Sequence, residues 1–123
     1  MIASLNCLIL GEAFINNFNV VVGDVYTNDD KFNIAFDKFT VSNFKELLFR
    51  RKKVKKAVQD PDSMNLYKVE LRNLKDKIYT IDEIEELGTM MDSMAEFKEY
   101  FNNYDKKPKL KRLYIFIVLR IVV

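Results

Sequence analysis

Histidine is absent from this 123-residue chain, and cysteine occurs once, at Cys7. A disulfide within the chain is therefore impossible, and a zinc site would have to be built almost wholly from carboxylates, so no metal and no cofactor are expected. Hydrolysis by a Cys-His or Ser-His pair is excluded for want of the base. Alternation along Leu5-Asn6-Cys7-Leu8-Ile9-Leu10 places Cys7 on the strand face opposite Leu8 and Leu10, where it reads as a small, half-buried strand residue and not as a nucleophile. Glycine is scarce too. Gly11, Gly23 and Gly88 stand apart, each suited to a turn or a helix end, and no glycine-rich phosphate loop can be formed from them. An excess of one charge is also missing: 20 basic and 18 acidic side chains leave a net charge of +2, without the dominant, clustered positive field of a nucleic-acid-binding module.

Long hydrophobic runs are lacking as well. Leu113–Val123 is interrupted by Arg120 and falls far short of the ~20 apolar residues needed to cross a bilayer. Met1–Leu10 has no basic n-region and carries Asn6 within its apolar stretch, so it is expected to be a strand and not a signal peptide. At this length the chain is one domain, long enough to bury roughly two-thirds of its unfolded surface.

What is present is a sharply marked helix start. Thr40 can accept a hydrogen bond from an orphan N–H of the first turn, while Val41, Phe44, Leu47 and Leu48 recur at helical spacing as one apolar stripe. One helix with one apolar face needs a sheet to cover. Candidate strands are Ser4–Gly11 and Phe32–Phe36 before it, Leu66–Leu71 and Leu113–Leu119 after it. The last, Leu-Tyr-Ile-Phe-Ile-Val-Leu, suits a central strand apolar on both faces. The order ββαβ…β is that of an α+β, ubiquitin-like β-grasp: a mixed sheet of four to five strands packed on the Thr40–Lys56 helix, with Phe44 and Leu48 against Ile115 and Ile117. One or two short helices precede the last strand. Thr80 and Glu83 have capping-box spacing for a helix ending at Gly88, and Ser93 and Glu96 have it for a second, with Met94, Phe97 and Phe101 on one face. Lys106-Lys107-Pro108 then breaks the chain before the last strand.

The second strand is open between Phe18–Val22 and Phe32–Phe36, since Gly23-Asp24 and Asn28-Asp29-Asp30 both look like turns. Phe32–Phe36 is favoured for its short connection to Thr40, which would leave an insertion at residues 19–31, either a lengthened first hairpin or an added edge strand.

Two charged clusters remain. Arg50, Arg51, Lys52, Lys53, Lys55 and Lys56 continue the helix, with their cations at the negative end of its dipole. They read as a solvated helix end, or as a nuclear-import or acidic-partner patch. Asp82, Glu83, Glu85 and Glu86 read as a solvated helix face, more plainly than as a glycosidase-like carboxylate pair.

The ordered series Leu5-Asn6-Cys7-Leu8-Ile9-Leu10-Gly11, Phe32, Thr40-Val41 with Phe44-Lys45-Glu46-Leu47-Leu48, and Leu66-Tyr67-Lys68-Val69 resembles the N-terminal, ubiquitin-like domain of Crinkler effector proteins. That family has a CL-x-L-G strand, a TV-x-x-LK-x-x-I helix, a lysine-rich stretch and an L-x-LWKV strand. A Glu-Leu-Gly segment, an aromatic helix and a closing IHIIV strand complete it, and Glu86-Leu87-Gly88, Phe97-Lys98-Glu99-Tyr100-Phe101 and Leu113-Tyr114-Ile115-Phe116-Ile117-Val118 are similar to these. Tyr67 stands for the usual Trp, Phe44 for Leu and Tyr114 for His. Leu66-Tyr67-Lys68-Val69 replaces the oomycete Leu-Phe-Leu-Ala-Lys trafficking motif, which points to the fungal branch.

The resemblance implies a non-enzymatic N-terminal domain that serves secretion, by an unconventional route, and translocation into host cells, with the host nucleus as one destination. Leu66, Tyr67, Lys68 and Val69 would be the trafficking strand, and the partners would be host or trafficking proteins, with no small-molecule substrate. The chain would then be a protein made of this domain alone, a truncated product or a fragment of a longer effector. The alternative is an intracellular ubiquitin-like adaptor. Partner identity and oligomeric state are not legible.

Overall fold

In a computed structural model of the chain, residues 3–71, 77–101 and 112–119 are described. Among them run strands β1 (Ala3–Ile9), β2 (Phe18–Val22), β3 (Val25–Thr27), β4 (Asn33–Ala35), helices α1 (Val41–Phe49) and α2 (Lys52–Ala57), strand β5 (Met64–Leu71), helix α3 (Ile81–Leu87), and strands β6 (Gly88–Met90) and β7 (Arg112–Leu119). The main sheet has five strands in the order β2-β1-β7-β5-β6, and β3 and β4 form a separate hairpin. Strands β1 and β7 are parallel, and every other pair in the main sheet is antiparallel. The fold is α+β and β-grasp-like, as the sequence predicts.

The two-faced pattern of β7 explains its central place. Ile115 and Ile117 join Leu5, Cys7 and Ile9 of β1 and Leu66 of β5 in a core closed by Val41, Phe44 and Leu48 of α1. Tyr114, Phe116 and Val118 face the other way, into a second core with Leu8, Tyr67, Val69, Tyr79 and Ile84 of α3. Each fully buried apolar side chain of α1 contributes about 1.5–3 kcal/mol over leaving it in water. The helix begins as its sequence suggests: the Thr40 hydroxyl accepts the Asn43 N–H at 3.2 Å, and Asn43 Oδ1 accepts the Thr40 N–H at 3.0 Å. A second capping box joins Thr80 and Glu83 at the start of α3.

Three expectations are corrected. The second strand of the main sheet is Phe18–Val22, paired with β1 from Cys7↔Phe18 to Ala3↔Val22, and not segment 32–36. Val20 and Val22 are buried while Asn19 and Val21 are exposed, an alternation that completes the core face of β1. Segment 32–36 does not join the main sheet: β4 pairs only with β3, Phe32 is 68 % exposed, and Ile34 and Phe36 are only partly buried against the core. Residues 19–31 hold most of β2, an edge strand of the main sheet, and β3 of the separate hairpin.

The 40–56 helix is not continuous. Arg51 is extended (φ −77°, ψ 131°) and begins α2 anew. Val54 explains the break, because at about 100° per residue it would lie some 240° round from Leu48 on one unbroken helix. With the break it is fully buried in the same core as Leu48.

The helix expected from Ser93 is a 3-10 turn at Phe97–Phe101. The preceding carbonyls serve α1 instead, with Ala95 O accepting the Val41 N–H and Ser93 O the Ser42 N–H, both at 3.0 Å. These orphan donors of a helix start need partners. Phe97 is buried as expected, whereas Met94 is exposed. The Lys106-Lys107-Pro108 break lies outside the described residues.

Candidate functional site

The six cations of the basic run differ in their partners. Arg50, at the end of α1, donates from Nη2 to Thr27 O and to Asp29 Oδ1, both at 2.9 Å. Its guanidinium lies 4.8 Å from the centre of the Tyr26 ring, close enough for a cation–π contact. Glu46, one helical turn back, gathers the same residues: Oε1 accepts the Tyr26 hydroxyl at 2.7 Å and the Asp29 N–H at 2.9 Å, and stands 3.7 Å from Arg50. Burial and then the bond to Glu46 push the Tyr26 phenol above its ordinary range, while the bond to Asp29 raises Arg50. Together they clamp the β3–β4 hairpin to α1.

Arg51 and Lys53 are committed to another element. Arg51 Nη2 donates to Asn19 O on β2 at 2.8 Å, and Lys53 Nζ donates to Asn16 O at 2.7 Å while pairing with Glu12 Oε2 at 3.1 Å. Both lie near the Phe18 ring, at 6.0 and 5.7 Å from its centre. Lys52, Lys55 and Lys56 remain exposed, Lys55 over the Phe49 ring at 5.8 Å. Positions i, i+3 and i+4 share a helix face, so these three present one side of α2 to solvent, opposite the buried Val54. The run thus divides into three residues bonded to other elements and three exposed on one side of α2.

Strand residues 66–69 lie on β5, between β7 and β6. Leu66 is in the α1-side core, Tyr67 and Val69 are in the α3-side core, and Lys68 Nζ donates to Tyr100 O at 2.8 Å. In the folded chain the apolar side chains of this segment are therefore closed to a reader of linear peptides.

Groups that could support chemistry are dispersed. Cys7 is fully buried, more than the sequence suggests, and burial pushes its thiol up to about 12. On α3, Asp82, Glu85 and Glu86 are exposed, while Glu83 is bonded to Lys77 and to the Thr80 N–H, which hold its carboxyl below the ordinary range. Among the described residues no group of His, Cys, Asp or Glu could hold a metal ion, and no helix is long and apolar enough to cross a membrane. Glu46 carries a signal that reading the run as a patch passes over, since its i,i+4 spacing to Arg50 marks a helix pair. Nothing local to Tyr26 or Asp29 marks them as its partners.

The family model described as Crinkler effector protein N-terminal domain matches residues 3–118. No curated protein matches the chain, and no solved structure does.

Proposed function

This chain belongs to the Crinkler effector family through its N-terminal domain, and from that premise we propose that it is the non-enzymatic delivery domain of a secreted effector, serving export, translocation into host cells and protein contacts. The observation that carries the reading is the match across residues 3–118. The pattern is met by the whole fold and not by a short segment. Leu66, Tyr67 and Val69 then act in trafficking by building the folded domain, since they are core residues. The fungal branch and an unconventional route of secretion follow from the same reading.

The contact surface best placed for an acidic partner or an import receptor is the exposed face Lys52, Lys55 and Lys56. Because a 14.6 kDa chain diffuses through nuclear pores, the test needs fusion to a cargo too large to do so. Replacing these three lysines with Gln is expected to abolish nuclear accumulation of that cargo with the fold intact. Accumulation that survives returns the run to a solvated helix end.

A β-grasp sheet alone would also suffice for an intracellular ubiquitin-like adaptor, and the two readings differ in destination. Epitope-tagged chain followed in its source organism during host contact separates them. Recovery outside the producing cell supports the delivery domain, and wholly intracellular retention supports the adaptor.

A further inference from the structure

The two edges of the main sheet are finished differently. At β2, Arg51 Nη2 occupies the carbonyl of Asn19, and Lys53 Nζ takes that of Asn16, two residues before the strand, placing charge and side-chain donors along this edge in the way natural sheets discourage further pairing. The opposite edge, β6, has no such guard among the described residues.

Its register shows what it offers. The Met91 N–H donates to Leu66 O at 2.8 Å, so 66–91 and 68–89 are the hydrogen-bonded pairs of this antiparallel ladder, and Gly88 and Met90 turn their backbone groups away from β5. The Gly88 N–H is consumed by Ile84 O at the end of α3. What remains facing outward is the Gly88 carbonyl together with the N–H and carbonyl of Met90. Beside these groups Leu87 is 51 % exposed and Met90 54 % exposed. Helix α3, which runs directly into β6, carries Asp82, Glu83, Glu85 and Glu86 and no basic residue. Glu83 is bonded to Lys77; Asp82, Glu85 and Glu86 are exposed and enter no ion pair among the described residues.

The close seat of this edge is built in. A Cβ at Gly88 would come within 2.7 Å of Val69 Cγ2 and 2.9 Å of Lys68 O, so only glycine lets α3 turn directly into a strand lying against β5. The Glu86-Leu87-Gly88 segment therefore brings an acidic helix end, an exposed leucine and an open strand edge together.

We propose that β6 is a docking edge for an extended, basic segment of a protein partner, which adds to the sheet as a further strand. Backbone pairing to Gly88 and Met90 supplies the register, alternate apolar side chains meet Leu87 and Met90, and basic side chains meet Glu85 and Glu86. Charge complementarity selects the occupant: an acidic strand would bring like charge against α3. The proposal concerns a surface other than the basic run, and it holds whether the chain acts outside its cell or within it.

The test uses the purified full chain and a fluorescein-labelled hexapeptide of alternating Lys and Val, with a Glu-Val hexapeptide and a backbone N-methylated Lys-Val hexapeptide as comparisons. Fluorescence anisotropy is expected to show the Lys-Val peptide binding at least tenfold more tightly than either. Backbone amide shifts are expected to centre on residues 87–90. Met90→Pro removes an outward N–H while sparing the 66–91 and 68–89 pairs, and Glu85→Lys with Glu86→Lys reverses the rim; each is expected to weaken binding at least tenfold. The double lysine variant lies on exposed positions, so it keeps the test decisive if the proline variant does not fold. Absence of binding, equal binding of the acidic or N-methylated peptide, shifts centred on β2 or α2, or self-association of the chain at this edge in preference to the peptide would each overturn the proposal.

Discussion

Arg50 Nη2 lies 2.9 Å from Asp29 Oδ1, across 21 positions of sequence, and this pair closes the β3–β4 hairpin onto the end of α1. Both side chains are well exposed, so their coupling is about 0.2–1 kcal/mol, in the range of surface ion pairs. Arg50→Gln is expected to lower global stability only slightly while speeding hydrogen exchange of the hairpin amides. A double-mutant cycle with Asp29→Asn should return the coupling, and Lys56→Gln should leave hairpin exchange unchanged.

Leu48 is fully buried in the core shared by Phe44, Ile115 and Ile117. Leu48→Asp puts an unpaired carboxylate there at a cost of several kcal/mol, against a total stability of about 5–15 kcal/mol for a domain. Loss of the cooperative melting transition is the expected outcome. An unchanged melting temperature would contradict the packing of α1 on the sheet.

The elements legible in the sequence are those whose signals are local. Thr40 and Thr80 cap helices with partners three residues on, and β7 declares a two-faced strand by its unbroken apolar run. The errors lie where distant residues decide. Segments 18–22 and 32–36 look alike as isolated strings, and only the need of β1 for a neighbour with Val20 and Val22 on its core face separates them. The break at Arg51 follows from the core claiming Val54. Ser93 and Glu96 have the spacing of a capping box, yet the free N–H groups at the start of α1 take the carbonyls of Ser93 and Ala95. Nothing in the run of six cations, read as a solvated helix end or as a patch, marks Arg50, Arg51 and Lys53 for acceptors far off in sequence.

Gly88→Ala is expected to destabilise the fold by about 1–3 kcal/mol, as overpacking does, because the nearest obstacles are the buried Val69 side chain and the Lys68 backbone. Its φ of −116° is ordinary for any residue, so crowding alone is responsible. Chemical denaturation should show a lower midpoint with an unchanged slope. Equal loss in Gly23→Ala, where a Cβ meets only Val25 O at 3.9 Å, would contradict this cause.

Burial raises the Cys7 thiol from 9.0 to about 12 in the folded chain. Its contribution to stability is therefore fully present below pH 9 and is lost as pH rises toward 12, by up to about 1.4 kcal/mol per pH unit while only the unfolded chain gives up the proton. Cys7→Ala should flatten the stability curve between pH 9 and 11 relative to the parent chain. At pH 8 the parent thiol is expected to resist thiol-reactive dye until the chain unfolds.

Delivery of this folded domain into host cells is read without intermediaries by reporter activity inside the host. A reporter enzyme fused to the chain, produced in the source organism during host contact, is expected to give signal in the host cytosol. The Leu48→Asp fusion is expected to give none, because the delivery role proposed above requires the folded domain. Reporter signal confined to the producing cells, with the parent fusion shown to be folded and present, would contradict a role in delivery.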